Sequence, residues 1–137
     1  MITVTDISRW LVMPLLGLTC FLTSAPAQVV IPDPGLDAAL RQALQKPTGP
    51  LSAQDLLSLT NLDASQRNIT NLTGLETARN LITLSLQTNR LALLTVPSAL
   101  TNLHTVDLSF NPLTNCIFPS GLRRLDRVLI EFSQLSN

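Results

Sequence analysis

Leu59-x-x-Leu62-x-Ala64-x-x-Arg67-x-Ile69, Leu81-x-x-Leu84-x-Leu86-x-x-Asn89-x-Leu91, Leu103-x-x-Val106-x-Leu108-x-x-Asn111-x-Leu113 and Leu125-x-x-Val128-x-Ile130-x-x-Ser133-x-Leu135 are four spellings of one segment, each starting 22 residues after the last. A fixed short period of this kind predicts a solenoid, because one turn cannot bury its own apolar side and must stack on its neighbours.

Around the fourth to sixth positions of each segment apolar and polar residues alternate, as in a half-buried strand. Stacked at the strand spacing of roughly 4.8 Å, the four segments make a small parallel sheet, so the expected class is an α/β solenoid of about four turns. Two inward columns follow: Leu62, Leu84, Val106 and Val128, then Ala64, Leu86, Leu108 and Ile130. The return halves are also in register, as Leu72, Leu94 and Cys116, and as Ala78, Leu100 and Leu122. Cys116 thus stands in a column of Leu and reads as a small buried hydrophobe, the usual fate of a free cysteine. The ninth position holds Arg67, Asn89, Asn111 and Ser133. An inward Asn there can bond backbone groups of a tight bend that would otherwise bury unpaired amides. Arg67 is too long and charged for that task, so the first turn is expected to be irregular.

Outside the repeat the sequence is read in order. Arg9, the apolar run from Trp10 to Leu22 and the small-x-small site Ala25-Pro26-Ala27 predict a signal peptide over residues 1–27, cleaved after Ala27. The run contains Pro14 and Gly17 and is shorter than the roughly 20 apolar residues a spanning helix needs. A membrane association is expected only if this segment is retained as an anchor. Val29-Val30-Ile31 suggests one edge strand. Asp33 and Pro34 then suit the cap and first position of a helix, with Leu36, Leu40, Ala43 and Leu44 on its apolar face. Ser52 and Asp55 form a capping-box pair at the head of a second helix. Residues 28–58 are read as an N-terminal helical cap that covers the apolar end and open strand edge of the first turn, and residues 59–137 as the repeats, starting at 59, 81, 103 and 125.

These features together resemble exported bacterial leucine-rich-repeat proteins of the internalin type: a 22-residue leucine-rich repeat behind a Pro32-Asp33-Pro34-Gly35-Leu36 and Leu51-Ser52-Ala53-Gln54-Asp55-Leu56 cap. The resemblance spans about residues 30 to 135. It implies a curved solenoid whose concave strand face binds another protein, and it implies a secreted or cell-surface location. No contact residue carries over, since these vary between members. The sequence departs from the pattern after Leu135, where neither a return half nor a C-terminal cap follows. The expectation is an exposed last turn that frays, meets another subunit by self-association, or belongs to a fragment of a longer protein.

The concave face is expected to carry Thr60, Asn61, Asp63, Ser65 and Gln66, then Ile82, Thr83, Ser85, Gln87 and Thr88, then His104, Thr105, Asp107, Ser109 and Phe110, then Asp126, Arg127, Leu129, Glu131 and Phe132. Imidazole, aromatic and charged groups gather on the last two turns, and aromatic residues and Arg are the commonest binding anchors. The candidate ligand-binding residues are therefore His104, Asp107, Phe110, Arg127, Leu129 and Phe132. For the two Phe residues the alternative is core packing where the strand end turns inward.

Other functions find less in the sequence. The nine Lys and Arg balance the nine Asp and Glu, leaving no basic face for nucleic acid. Two cysteines and one histidine give neither a disulfide framework nor a metal-ligand set, so no cofactor is expected. There is no phosphate loop, nucleophile elbow or His pair, and Asp63 and Asp107, on alternate turns, are the only paired carboxylates of note. The reading is an exported, non-enzymatic protein-binding module; the alternative is a structural or truncated piece of a longer surface protein.

Overall fold

The computed structural model of the chain describes residues 27–133. The segment read as a signal peptide, apart from Ala27, and the last repeat position, Leu135, lie outside them. In chain order the elements are α1 (Pro34–Ala43), α2 (Ala53–Leu57), β1 (Asn61–Asp63), a 3₁₀ turn (Leu75–Thr77), β2 (Thr83–Ser85), β3 (Leu93–Thr95), β4 (Thr105–Asp107), β5 (Asn115–Ile117) and β6 (Arg127–Leu129).

The alternating segments form the strands the repeat predicts. β1, β2, β4 and β6 make one parallel sheet in that order, with Leu62 opposite Leu84, Leu84 opposite Val106 and Val106 opposite Val128. Each residue pairs with the one 22 positions on, so the solenoid has three complete turns and the strand of a fourth. Leu62, Leu84 and Val106 are buried, as are Ala64, Leu86 and Leu108, while the return columns Leu72 and Leu94, and Ala78, Leu100 and Leu122, close the core from the other side. β6 is the outer strand among the described residues, and its core-column residue Val128 is accordingly 39% exposed.

A second sheet forms on the return side. β3 and β5 pair in parallel, with Leu94 opposite Cys116. The first turn contributes no strand there. Gly74 takes the place of Val96, adopts a positive φ of 95° and leads into the 3₁₀ turn. A Cβ on Gly74 would lie 2.4 Å from Ile31 Cδ1 and 2.7 Å from the Val30 carbonyl, so the entering chain occupies the space a side chain would need. Residues 29–31 are therefore no strand, contrary to expectation. The residue before them, Gln28, makes an isolated antiparallel bridge to Ser52, and the Val29 amide donates to the Leu51 carbonyl at 2.7 Å.

The asparagine positions act across the turns. Asn89 Oδ1 accepts from the Arg67 and Ile69 amides, each at 3.0 Å, and Nδ2 donates to the carbonyls of Ala64 and Leu86 at 2.8 and 2.9 Å. Asn111 repeats this one turn later, on the Leu91 amide and the Leu86 and Leu108 carbonyls. Each Asn thus secures the bend of the turn before it as well as its own, which is why Arg67 needs no inward side chain. The irregularity expected at the first turn is present one residue on, where Asn68 has a φ of 57° that Arg90 and Pro112 do not share.

At the N-terminal end, α1 and α2 precede β1 with the expected caps. Asp33 caps α1 with Pro34 in its first turn, and Ser52 with Asp55 closes a full capping box on α2. The buried face of α1 is Leu36, Ala39 and Leu40 rather than one including Ala43, because the helix ends at Ala43 and turns that residue outward. Asp33, only 3% exposed, also holds the repeat: its second oxygen accepts from the amides of Thr70 and Asn71 and from the Thr70 hydroxyl.

Candidate functional site

Side chains one position either side of the core column point out of the four-stranded sheet and form two rows. Asn61, Thr83, Thr105 and Arg127 make one; Asp63, Ser85, Asp107 and Leu129 make the other. All but Arg127 line a shallow cavity of about 320 Å³ that runs from Asn61 and Asp63 across the middle strands to Asp107 and Leu129.

The carboxylates in the second row are held, not loose. Asp63 Oδ1 accepts from the Ser65 amide at 3.0 Å and Asp107 Oδ1 from the Ser109 amide at 2.9 Å, the local turn that Asp favours at a strand end. Hydrogen bonds from the Ser65 hydroxyl and amide, with Arg67 nearby, keep Asp63 below the usual carboxylate range. Ser109 is buried rather than on the exposed face, where its hydroxyl accepts from the Glu131 amide, and the Ser65 and Ser85 hydroxyls bond each other at 2.8 Å.

Beyond the strand ends, Gln66, Thr88, Phe110 and Phe132 occupy one column, all with left-handed backbone at φ between 51° and 58°. That conformation costs bulky residues strain and favours Asn or Gly. Phe110 and Phe132 are nevertheless 43% and 78% exposed, stacked with centroids 4.8 Å apart and planes 16° from parallel. Core packing of these rings is thus excluded: they stack on each other, outside the core.

The structure divides the six candidate residues. Asp107 and Leu129 are register partners in the cavity, and Phe110 and Phe132 form the aromatic pair at the end of the same strands. Arg127 lies in the other row, in register with Thr105. His104, also exposed, immediately precedes β4, six residues before Phe110 and roughly 20 Å away at strand rise, and so belongs to the opposite end of the face. Among the described residues no cluster of three or more His, Cys, Asp or Glu is placed to hold a metal ion.

Two features escaped the sequence reading. Asn80 and Asn102 donate to the Leu57 and Arg79 carbonyls, and Arg124 reaches the Asn102 side chain, so a second polar ladder runs along the outside of the solenoid. Its signal was the residue before each repeat: Asn80, Asn102, Arg124. The second is the return-side sheet, where β3 lacks a strand neighbour on the first turn and a cavity of about 380 Å³ lies between Asn71–Thr73 and Leu93–Thr95. Cys116 beside it is half-buried, and desolvation pushes its thiol up, which favours the unreactive protonated form.

Among solved structures the chain is similar to the functional domain of InlJ from Listeria monocytogenes, which includes a cysteine ladder: TM-score 0.69 and 28% identity over 77% of this chain and 23% of that one. The fold is that of the internalin leucine-rich repeats. An internalin C2 from the same organism matches at TM-score 0.61 and 24% identity, over 82% of this chain and 63% of that one. Internalin InlF matches at TM-score 0.52 and 20% identity, over 85% and 48%. The chain therefore spans less than two thirds of the length of each of these structures. No protein-family model and no curated protein sequence matches it.

Proposed function

We propose that the chain is an exported protein-binding module that engages its partner through the concave sheet, with Asp107, Leu129, Phe110 and Phe132 at the centre of the contact and Arg127 and His104 toward its rim. The observation that carries this reading is the stacked Phe110–Phe132 pair, exposed and held on strained backbone. Neither ring fills the core, so the fold gains little from residues that cost it strain; a partner that buries them gains two aromatic anchors. The likeness to internalins supports the same reading.

The accompanying layout is a signal peptide over residues 1–27, a cap over 28–58 and repeats over 59–137, in a secreted or cell-surface protein. No helix among the described residues is long and apolar enough to cross a membrane. A second copy of the chain is one admissible partner, through the outer edge of β6, and sedimentation of the purified chain reads that directly.

The test is a surface-display screen of the full chain against cell-surface and secreted proteins, repeated with Phe110→Ala/Phe132→Ala. A partner retained at micromolar concentration and lost at least tenfold in the double variant is expected. Partners that bind both forms equally would refute the concave face as the site.

A further inference from the structure

Charge on this molecule is unevenly placed. The chain balances nine Lys and Arg against nine Asp and Glu, and one of each, Arg9 and Asp6, lies outside the described residues. Yet the concave face carries Asp63, Asp107, Asp126 and Glu131 against Arg127, with Arg67 near Asp63 at the strand end, while Arg79, Arg90, Arg123 and Arg124 all lie exposed elsewhere. A net negative, partly apolar groove in a neutral protein is selective: it attracts a cationic partner and repels an anionic one.

The geometry narrows the partner further. Asp63 and Asp107 sit two strands apart, roughly 10 Å by strand spacing, with the small Ser85 between them. Each carboxylate is fixed through Oδ1 on its serine amide, and Asp63 also by the Ser65 hydroxyl. The acceptors are therefore ordered before any ligand arrives, which lowers the entropic cost of binding. Leu129, 40% exposed, adjoins Asp107 in the groove, and the Phe110–Phe132 stack lies just beyond. Resting on the reading of the concave sheet as a binding surface, we infer that the partner presents a basic segment, with an Arg or Lys side chain seated over Ser85 between Asp63 and Asp107 and an apolar neighbour against Leu129 and the Phe pair. An arginine suits the gap best, because its planar fork can donate to two carboxylates at once.

The test is selection of random displayed peptides on the immobilised full chain, beside Asp63→Asn/Asp107→Asn, Phe132→Ala and, as a control away from the face, Asp37→Asn. Asn keeps the oxygen that accepts from Ser65 and Ser109, so the double variant retains the turns, and circular dichroism checks this. Peptides with Arg or Lys next to an apolar residue should be enriched. Their affinity should fall tenfold or more in the double Asn variant, fall in Phe132→Ala, weaken with salt and be unchanged in Asp37→Asn. Enriched peptides that lack basic residues but depend on Phe132 would overturn the basic-partner inference and leave the concave surface standing. Peptides insensitive to both variants, or none enriched, would overturn both.

Discussion

Asn89 ties the first two turns of this fold together. Its side chain satisfies two amides of the first turn and one carbonyl on each of two turns, all at 2.8 to 3.0 Å, and it is almost fully buried. Removing it strands four backbone groups away from water, each worth about 1 to 3 kcal/mol when unmade. Asn89→Ala is accordingly expected to destabilise the protein by about 3 kcal/mol or more. Asn80→Ala, which removes one bond from an exposed residue to the Leu57 carbonyl, should cost under about 1 kcal/mol. Urea unfolding of the two variants checks the contrast, and equal losses would show that water replaces the inner ladder as readily as the outer one. The difference between the two ladders was not legible beforehand. Both repeat every 22 residues, and only the burial of Asn89 and Asn111 separates them.

At the scale of elements, α1 is fastened to the first repeat through two residues that leave it little latitude. Asp33 shares its oxygens between the helix start and the Thr70–Asn71 amides, and a Cβ on Gly35 would meet the Arg67 carbonyl at 2.1 Å. The neighbour is backbone and cannot swing aside, so Gly35→Ala must push the helix off the repeat, at about 1 to 3 kcal/mol. A lower midpoint in thermal unfolding, with weakened packing of Leu36 and Leu40 seen by NMR, is the expected result. Acid should act on the same region. The Lys46 ammonium, bonded to Asp55 at 2.7 Å, together with the Ser52 amide and hydroxyl, lowers the Asp55 pKa from 3.8 to about 2. Asp33 is also lowered: burial opposes its charge, but the Thr70, Leu36 and Asn71 hydrogen bonds outweigh that. Both folded values lie below the unfolded ones, so this stabilisation is complete above about pH 4 and is lost as pH falls toward 2. Lys46→Ala should raise the Asp55 titration, read by carboxyl NMR, and shrink the share of stability that acid removes. The helix starts were legible because Pro34, Ser52 and Asp55 act locally. The second role of Asp33 was not, since its partners lie 37 and 38 residues on.

For the whole molecule, the period alone fixed the columns and the parallel register, because stacking identical turns leaves one way to bury Leu at each repeat position; the internalin type came from the resemblance of the repeat together with its cap. What the period could not show is where a turn departs from its neighbours: Gly74 replacing a return strand, Ser109 turned inward, the Phe pair turned outward. Those depend on contacts between turns. Among the candidate binding residues, sequence spacing placed Phe110 and Phe132 in one column but could not tell a stack on the surface from packing in the core. The stacking also makes stability a nearest-neighbour quantity, largest where a turn is covered on both sides. β2 lies between β1 and β4, with Leu84 and Leu86 fully buried, whereas β6 has one described neighbour and Val128 and Leu129 partly exposed. Leu86→Ala is therefore expected to cost about 2 to 5 kcal/mol, and Leu129→Ala under about 0.5 kcal/mol. Native-state hydrogen exchange of the full chain should give the same gradient without mutation. Amides of β2 should exchange only through global unfolding, and those of β6 through local opening at lower free energy. Equal protection along the sheet would mean that the turns open as one unit, and the two variants would then have to be read as changes to a single cooperative core.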